Sequence, residues 1–190
     1  VAAMNAEQVE LLRLYSDPTV KELKEKLADL YSVKPENVFV SNGSDEVLNF
    51  AFMAFGGNGV IFPEISYGFY EVYADLYQLD YEKIPLEPDF ALDYLKYCGK
   101  NKMVVIANPN APTGMTLCEE DIEKIISSNP DNVVVIDEAY VDFGGNSCYK
   151  LIDKYDNLIV CRTFSKSRSM AGARLGFAIA DQELIADLER

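Results

Sequence analysis

The chain has 190 residues, 49% of them apolar, enough for one domain with a buried core. Its formal net charge of −14 argues against nucleic acid and anionic membrane surfaces as partners, because their phosphates would be repelled. A phosphorylated small molecule would therefore need a local basic pocket.

In chain order, Asp17-Pro18 is a helix start signal, a capping carboxylate followed by proline at the first helical position. Val20, Leu23, Leu27, Leu30 and Tyr31 then form one apolar face. Residues 38–40 read as a buried strand. A helix is predicted after Ser44, burying Val47, Leu48, Ala51, Phe52 and Phe55. A strand follows at 60–62 and a weaker one at 79–84. Residues 103–107 form the next apolar run. Thr116 and Glu119 match a capping box before Ile122, Ile125 and Ile126. Further strands are predicted at 133–136, 158–161 and 176–180. The last has little helix before it and is expected to run antiparallel. Continuous apolar runs indicate strands covered on both faces. Their alternation with helices predicts an α/β fold, a three-layer sandwich around a mainly parallel sheet. We divide the chain into an N-terminal helical segment of the large domain, 1–35, and the ligand-binding large domain proper, 36–190. The chain opens on Val1 and is expected to be part of a longer protein.

In such sheets, sites form at the carboxyl ends of the strands. Four strand ends here lead into polar residues: Ser41 to Glu46, Asn108 to Gly114, Asp137 to Tyr140, and Arg162 to Lys166. Lys166 is an amine suited to attack on an aldehyde, provided some of it is neutral. Arg162, Arg168 and Arg174 are close in sequence and would favour the neutral form. The hydroxyls of Thr163 and Ser165 and the fork of Arg174 suit a phosphate. The Gly43-Ser44 turn would open a helix whose positive end faces an anion. Each feature also has an ordinary reading: a solvated lysine, a helix cap, a surface turn at Asp137, packing for Tyr67 and Tyr140.

Other chemistries are excluded. With no histidine, imidazole-based triads are absent. Cys98, Cys118, Cys148 and Cys161 form no CxxC pair, so neither zinc nor any other metal is expected. Reduced thiols in the cytoplasm are the expectation. No apolar run reaches the length of a membrane span. No GxGxxG follows a strand, which disfavours a dinucleotide site.

Together, NPNAPTG at 108–114, DEAYVDF at 137–143 and RTFSKSRSMAGARLGF at 162–177 resemble the fold-type I pyridoxal-phosphate (PLP) enzymes. The likeness is strongest to the histidinol-phosphate aminotransferase branch, supported by NGSDE at 42–46 and PEISYGFY at 63–70. It covers nearly the whole chain. The resemblance implies that Lys166 bonds the PLP aldehyde and shuttles a proton. It implies that Asp137 pairs with the pyridine nitrogen, that Tyr140 hydrogen-bonds the ring oxygen, and that Tyr67 stacks on the ring. Ser44, Asp45, Thr163, Ser165 and Arg174 would hold the phosphate, the first two chiefly through backbone. Tyr15 resembles a tyrosine that reaches the phosphate of a neighbouring subunit, which implies a homodimer. Relatives place an asparagine directly before PTG. Here Ala111 stands there, leaving Asn110 or Asn108 as a stand-in, with Asn110 the candidate. Relatives also have a segment before this stretch and a small domain after it.

The implied reaction moves an amino group between L-histidinol phosphate and 2-oxoglutarate. Alternatives are a PLP decarboxylase of a phosphorylated amino acid, an aminotransferase for aromatic or other amino acids, and a non-catalytic PLP-binding or interaction module.

Overall fold

The computed structural model describes residues 6–190, so residues 1–5 of the expected N-terminal helical segment lie outside the described residues. Helices α1 (Ala6–Leu11) and α2 (Lys21–Tyr31) lead into strand β1 (Val38–Ser41). Then come α3 (Ser44–Phe55), β2 (Val60–Pro63), α4 (Phe69–Leu76), β3 (Tyr81–Ile84) and β4 (Met103–Ala107). The rest is α5 (Glu119–Ser127), β5 (Val134–Asp137), β6 (Leu158–Thr163), β7 (Gly176–Ala180) and α6 (Gln182–Leu188).

The strands form one sheet in the order β1-β7-β6-β5-β4-β2-β3. Strands β2 to β6 pair in parallel. Strand β7 runs antiparallel to both β6 and β1, as its short approach predicts. Hence β1 to β6 all end at the same sheet edge, and β7 begins there. In register, Ala107 lies beside Asp137, Asp137 beside Cys161, and Gly176 beside both Thr163 and Ser41.

Side-chain alternation along each strand divides the core between two faces. On one face, Phe39, Phe62, Val105, Val135, Ile159 and Ala178 pack against Leu48 and Phe52 of α3, Tyr70 of α4 and Ile185 of α6. On the other, Ile61, Val104, Ile106, Ile136 and Val160 meet Ile122, Ile125 and Ile126 of α5. There too, Leu27 and Ala28 of α2 cover Val38, Phe177 and Ile179. This is the three-layer sandwich expected from the apolar runs.

Three local expectations are corrected. Helix α2 starts at Lys21, not at Pro18. The Asp17 carboxylate instead accepts from the N–H groups of Thr19 and Lys21, both at 2.9 Å, and Val20 adopts a left-handed φ of 50° that separates this turn from the helix. Leu30 is 68% exposed, because burial of Ala28 turns the covered face of α2 away from it. Thr116 does not cap α5, whose N-cap is Cys118 with no side-chain hydrogen bond. Asn108 prevents it: its Oδ1 accepts from Leu117 N at 2.8 Å and its Nδ2 donates to Leu117 O, fixing that residue outside the helix. Glu119, Glu120 and Asp121 in the first turn compensate through the helix dipole.

Candidate functional site

A cavity of about 200 Å³ opens where β4, β5 and β6 end and α3 begins. Its base is made of small and acidic residues: Ala107 closing β4, Asp137 closing β5, and Ala139 in the turn beyond. Asp137 is only 5% exposed. Its carboxylate accepts from Tyr70 Oη at 2.9 Å and from Ala139 N at 3.1 Å. Burial pushes its carboxyl pKa up, and these two donors pull it back by favouring the ionised form. Tyr70 is fully buried in α4, and burial together with the Asp137 charge holds its phenol well above the usual range. It therefore acts as the hydrogen-bond donor.

The second wall is the start of α3. Gly43 sits at φ +88°, and a Cβ there would lie 2.6 Å from Arg174 Nη2. Gly176 is required more strictly, since a Cβ on it would stand 2.3 Å from Ser44 N. Two glycines thus let β7 and the Arg174 loop approach the helix start. No side chain caps this end, so its first N–H groups and the helix dipole are available to an anion. Asp45 Oδ1 accepts from Tyr67 Oη at 2.8 Å, and Asp45 Oδ2 lies 3.5 Å from Arg174 Nη2. Arg174 also donates to Ala171 O at 3.1 Å. Burial, then the Asp45 hydrogen bond, push the Tyr67 pKa up, keeping its hydroxyl protonated.

The third wall is the segment after β6. Thr163 Oγ1 accepts from Ser165 N at 3.1 Å, which shapes the turn into Lys166. Lys166 is exposed, with Nζ 5.1 Å from the centroid of the Tyr140 ring. The cavity thus combines a buried carboxylate, an amine with an aromatic neighbour, and an anion cradle of helix N–H groups, hydroxyls and a guanidinium. That set can hold an anionic, aldehyde-bearing aromatic molecule.

Ser44, Asp45, Tyr67, Asp137 and Tyr140 all line this cavity, as do Thr163, Ser165, Lys166 and Arg174. Asn110 does not. Its amide donates to Ile65 O at 2.9 Å and Thr113 Oγ1 at 3.0 Å, and accepts from Ser66 Oγ at 2.7 Å, tying two loops together. Asn108 is engaged by Leu117 in the same way, so only the Ala111 methyl faces the cavity from this loop. Tyr15 is fully exposed and does not line the cavity. The three arginines expected around Lys166 are each matched by a carboxylate: Arg174 by Asp45, and Arg162 and Arg168 by Asp142. Arg162 is buried on the opposite face of the sheet.

Sequence reasoning missed Tyr70 and the alanines at 107, 139 and 171. Tyr70 lies three residues after Tyr67, across the turn that opens α4, where Tyr70 N donates to Tyr67 O at 3.2 Å and the two rings meet edge to face with centroids 5.6 Å apart. The alanines carry no comparable signal. Among the described residues no cluster of acidic or cysteine side chains is suited to a metal ion, and no helix is long and apolar enough to cross a membrane.

A family model described as aminotransferase class I and II matches residues 1–190. A histidinol-phosphate aminotransferase of Brachyspira hyodysenteriae is 52% identical over 181 residues, covering 94% of this chain and 51% of that protein. The chain thus spans about half the length of the curated relatives it matches. Among solved structures, a putative histidinol-phosphate aminotransferase of Erwinia carotovora atroseptica superposes with TM-score 0.87 at 29% identity, covering 96% of this chain and 57% of that one. The L-threonine-O-3-phosphate decarboxylase of Porphyromonas gingivalis superposes with TM-score 0.85 at 25% identity, covering 96% and 58%.

Proposed function

We propose that this chain, which belongs to the aminotransferase class I and II family, is the cofactor-binding half of a PLP-dependent aminotransferase. The protein containing it would transfer an amino group from L-histidinol phosphate to 2-oxoglutarate. The observation that carries the reading is the buried Asp137, held by Tyr70 and Ala139 N and sharing one cavity with Lys166 and the start of α3. Those groups fit PLP. Asp137 suits the pyridine nitrogen, Tyr140 the ring oxygen and Tyr67 the ring face. Ser44 N, Asp45 N, Thr163, Ser165 and Arg174 suit the phosphate. Bound PLP would supply an aldehyde and an electron-accepting ring. The protein's own part is to hold that ring, keep a carboxylate at its nitrogen, and place the Lys166 amine to anchor the cofactor and move a proton at the substrate carbon.

The substrate reading rests on the relatives near 50% identity, named histidinol-phosphate aminotransferases. The Porphyromonas structure favours a second reading, decarboxylation of a phosphorylated amino acid. Glutamate formation from 2-oxoglutarate, as opposed to carbon dioxide release, distinguishes them. The exposed apolar residues Leu12, Leu14 and Tyr15 of the N-terminal arm support a homodimer in which Tyr15 serves the neighbouring site. Free thiols at all four cysteines support a cytoplasmic protein.

In the full-length protein, PLP is expected to give a visible absorption band, and borohydride is expected to fix the label on Lys166. Label on another lysine, or no band, would overturn the assignment.

A further inference from the structure

Behind the cavity, on the other face of the sheet, lies a charge cluster that the proposed chemistry does not use, buried at Glu138 and Arg162 and exposed at Asp142 and Arg168. Glu138 follows Asp137, so its side chain points away from the cavity. Fully buried, it accepts from Ser147 Oγ at 2.6 Å, Cys148 N at 2.8 Å and Arg162 Nη1 at 3.1 Å. Arg162, itself 9% exposed, donates through Nη2 to Asp142 Oδ1 at 2.7 Å. The other Asp142 oxygen accepts from Ser167 Oγ and lies 3.7 Å from Arg168 Nε.

A buried ion pair is a weak source of net stability, and registry between segments is its better-attested use. The two segments registered here both carry site residues. Tyr140 lies between Glu138 and Asp142, and Lys166 lies between Arg162 and Ser167. The turn bearing Lys166 is exposed and closes on itself by Ser169 N to Lys166 O at 2.9 Å and Met170 N to Phe164 O at 3.0 Å. Asp142 reaches into that turn from outside, at the two residues after Lys166.

We infer that Asp142 is a positioning residue for Lys166. By gripping Ser167 and Arg168 on one oxygen and Arg162 on the other, it fixes the lysine turn against the loop that carries Tyr140. The inference rests on the PLP reading for its chemical consequence but not for its mechanical one, and the test separates the two. Asp142→Ala removes both acceptor oxygens, whereas an asparagine could keep Arg162 on its oxygen and donate its amide to Ser167 Oγ. Ser167→Ala removes a single hydroxyl and covers the case in which the first variant folds poorly.

In full-length protein without cofactor, both variants are expected to speed amide exchange at Ser169 and Met170 by about 10-fold, with the amides of β5 and β6 unchanged. With PLP bound, the saturating rate at which L-glutamate bleaches the visible band should fall on the order of 10-fold, while the half-saturating concentration stays within about 2-fold. Unchanged exchange at Ser169 and Met170 would overturn the inference. So would faster exchange throughout the sheet, which would make the cluster a general stabiliser. A wild-type protein showing no visible band would overturn the PLP reading alone, leaving the exchange result to stand for the mechanical claim.

Discussion

Asp137 has to be buried and yet ionised if it is to keep a ring nitrogen protonated. Burial raises its pKa, and Tyr70 Oη is the foremost group opposing that shift. Tyr70→Phe would remove the donor while preserving the packed ring. A hydrogen bond to a charged group is worth roughly 1.5–3 kcal/mol, so PLP affinity is expected to drop by about 10-fold or more. The pH dependence has a definite sign. Without Tyr70 Oη the Asp137 pKa rises further, its ionised form is lost at a higher pH, and the acid limb of PLP binding moves upward. Titration of the visible band against pH, in wild type and variant, checks this. An unmoved acid limb would show that Tyr70 only packs. Asp137 was legible in the sequence because it follows a run of apolar strand residues. Tyr70 was not, because its role depends on how α4 lies across the sheet.

At the scale of elements, the site depends on how near β7 comes to the start of α3. Gly176 permits that approach, and its significance is visible only in three dimensions. Gly176→Ala would drive a methyl group into the backbone at Ser44 and Gly43, at 2.3 and 2.4 Å. Over-packing of this kind costs about 1–3 kcal/mol, and rigid backbone on both sides argues for the upper end. Denaturant unfolding of the full-length protein should show this loss, accompanied by weaker PLP binding. Gly57→Ala, with nothing within 4 Å of the added carbon, should leave both unchanged. Equal effects from the two variants would refute the close-approach argument. The central strands were readable because burial on both faces leaves continuous apolar runs. Strand β3 gave a weaker signal because it is an edge strand with Glu82 and Lys83 exposed. The starts of α2 and α5 were misplaced because Asp17 and Asn108 spend their side chains on neighbouring turns, and no periodicity reports such competition.

For the molecule as a whole, the site built by this chain leaves Tyr15 unexplained. The residue is fully exposed, on an arm that also exposes Leu12 and Leu14. A lone exposed apolar residue is ordinary, but a cluster of them suggests a surface that is covered in the assembled protein. If Tyr15 donates to the phosphate bound by a second copy, Tyr15→Phe should weaken PLP binding by roughly 10-fold through loss of a charge-assisted hydrogen bond. Mixed dimers decide whether it acts across the interface. In a hybrid of one Tyr15→Phe subunit and one Lys166→Ala subunit, the only site with a lysine belongs to the Tyr15→Phe chain. Should Tyr15 act across the interface, that site receives an intact Tyr15 from its partner, and borohydride trapping at limiting PLP should match wild-type affinity. Should it act within its own chain, the hybrid should be as weak as the Tyr15→Phe homodimer, and the shared-site reading would fall.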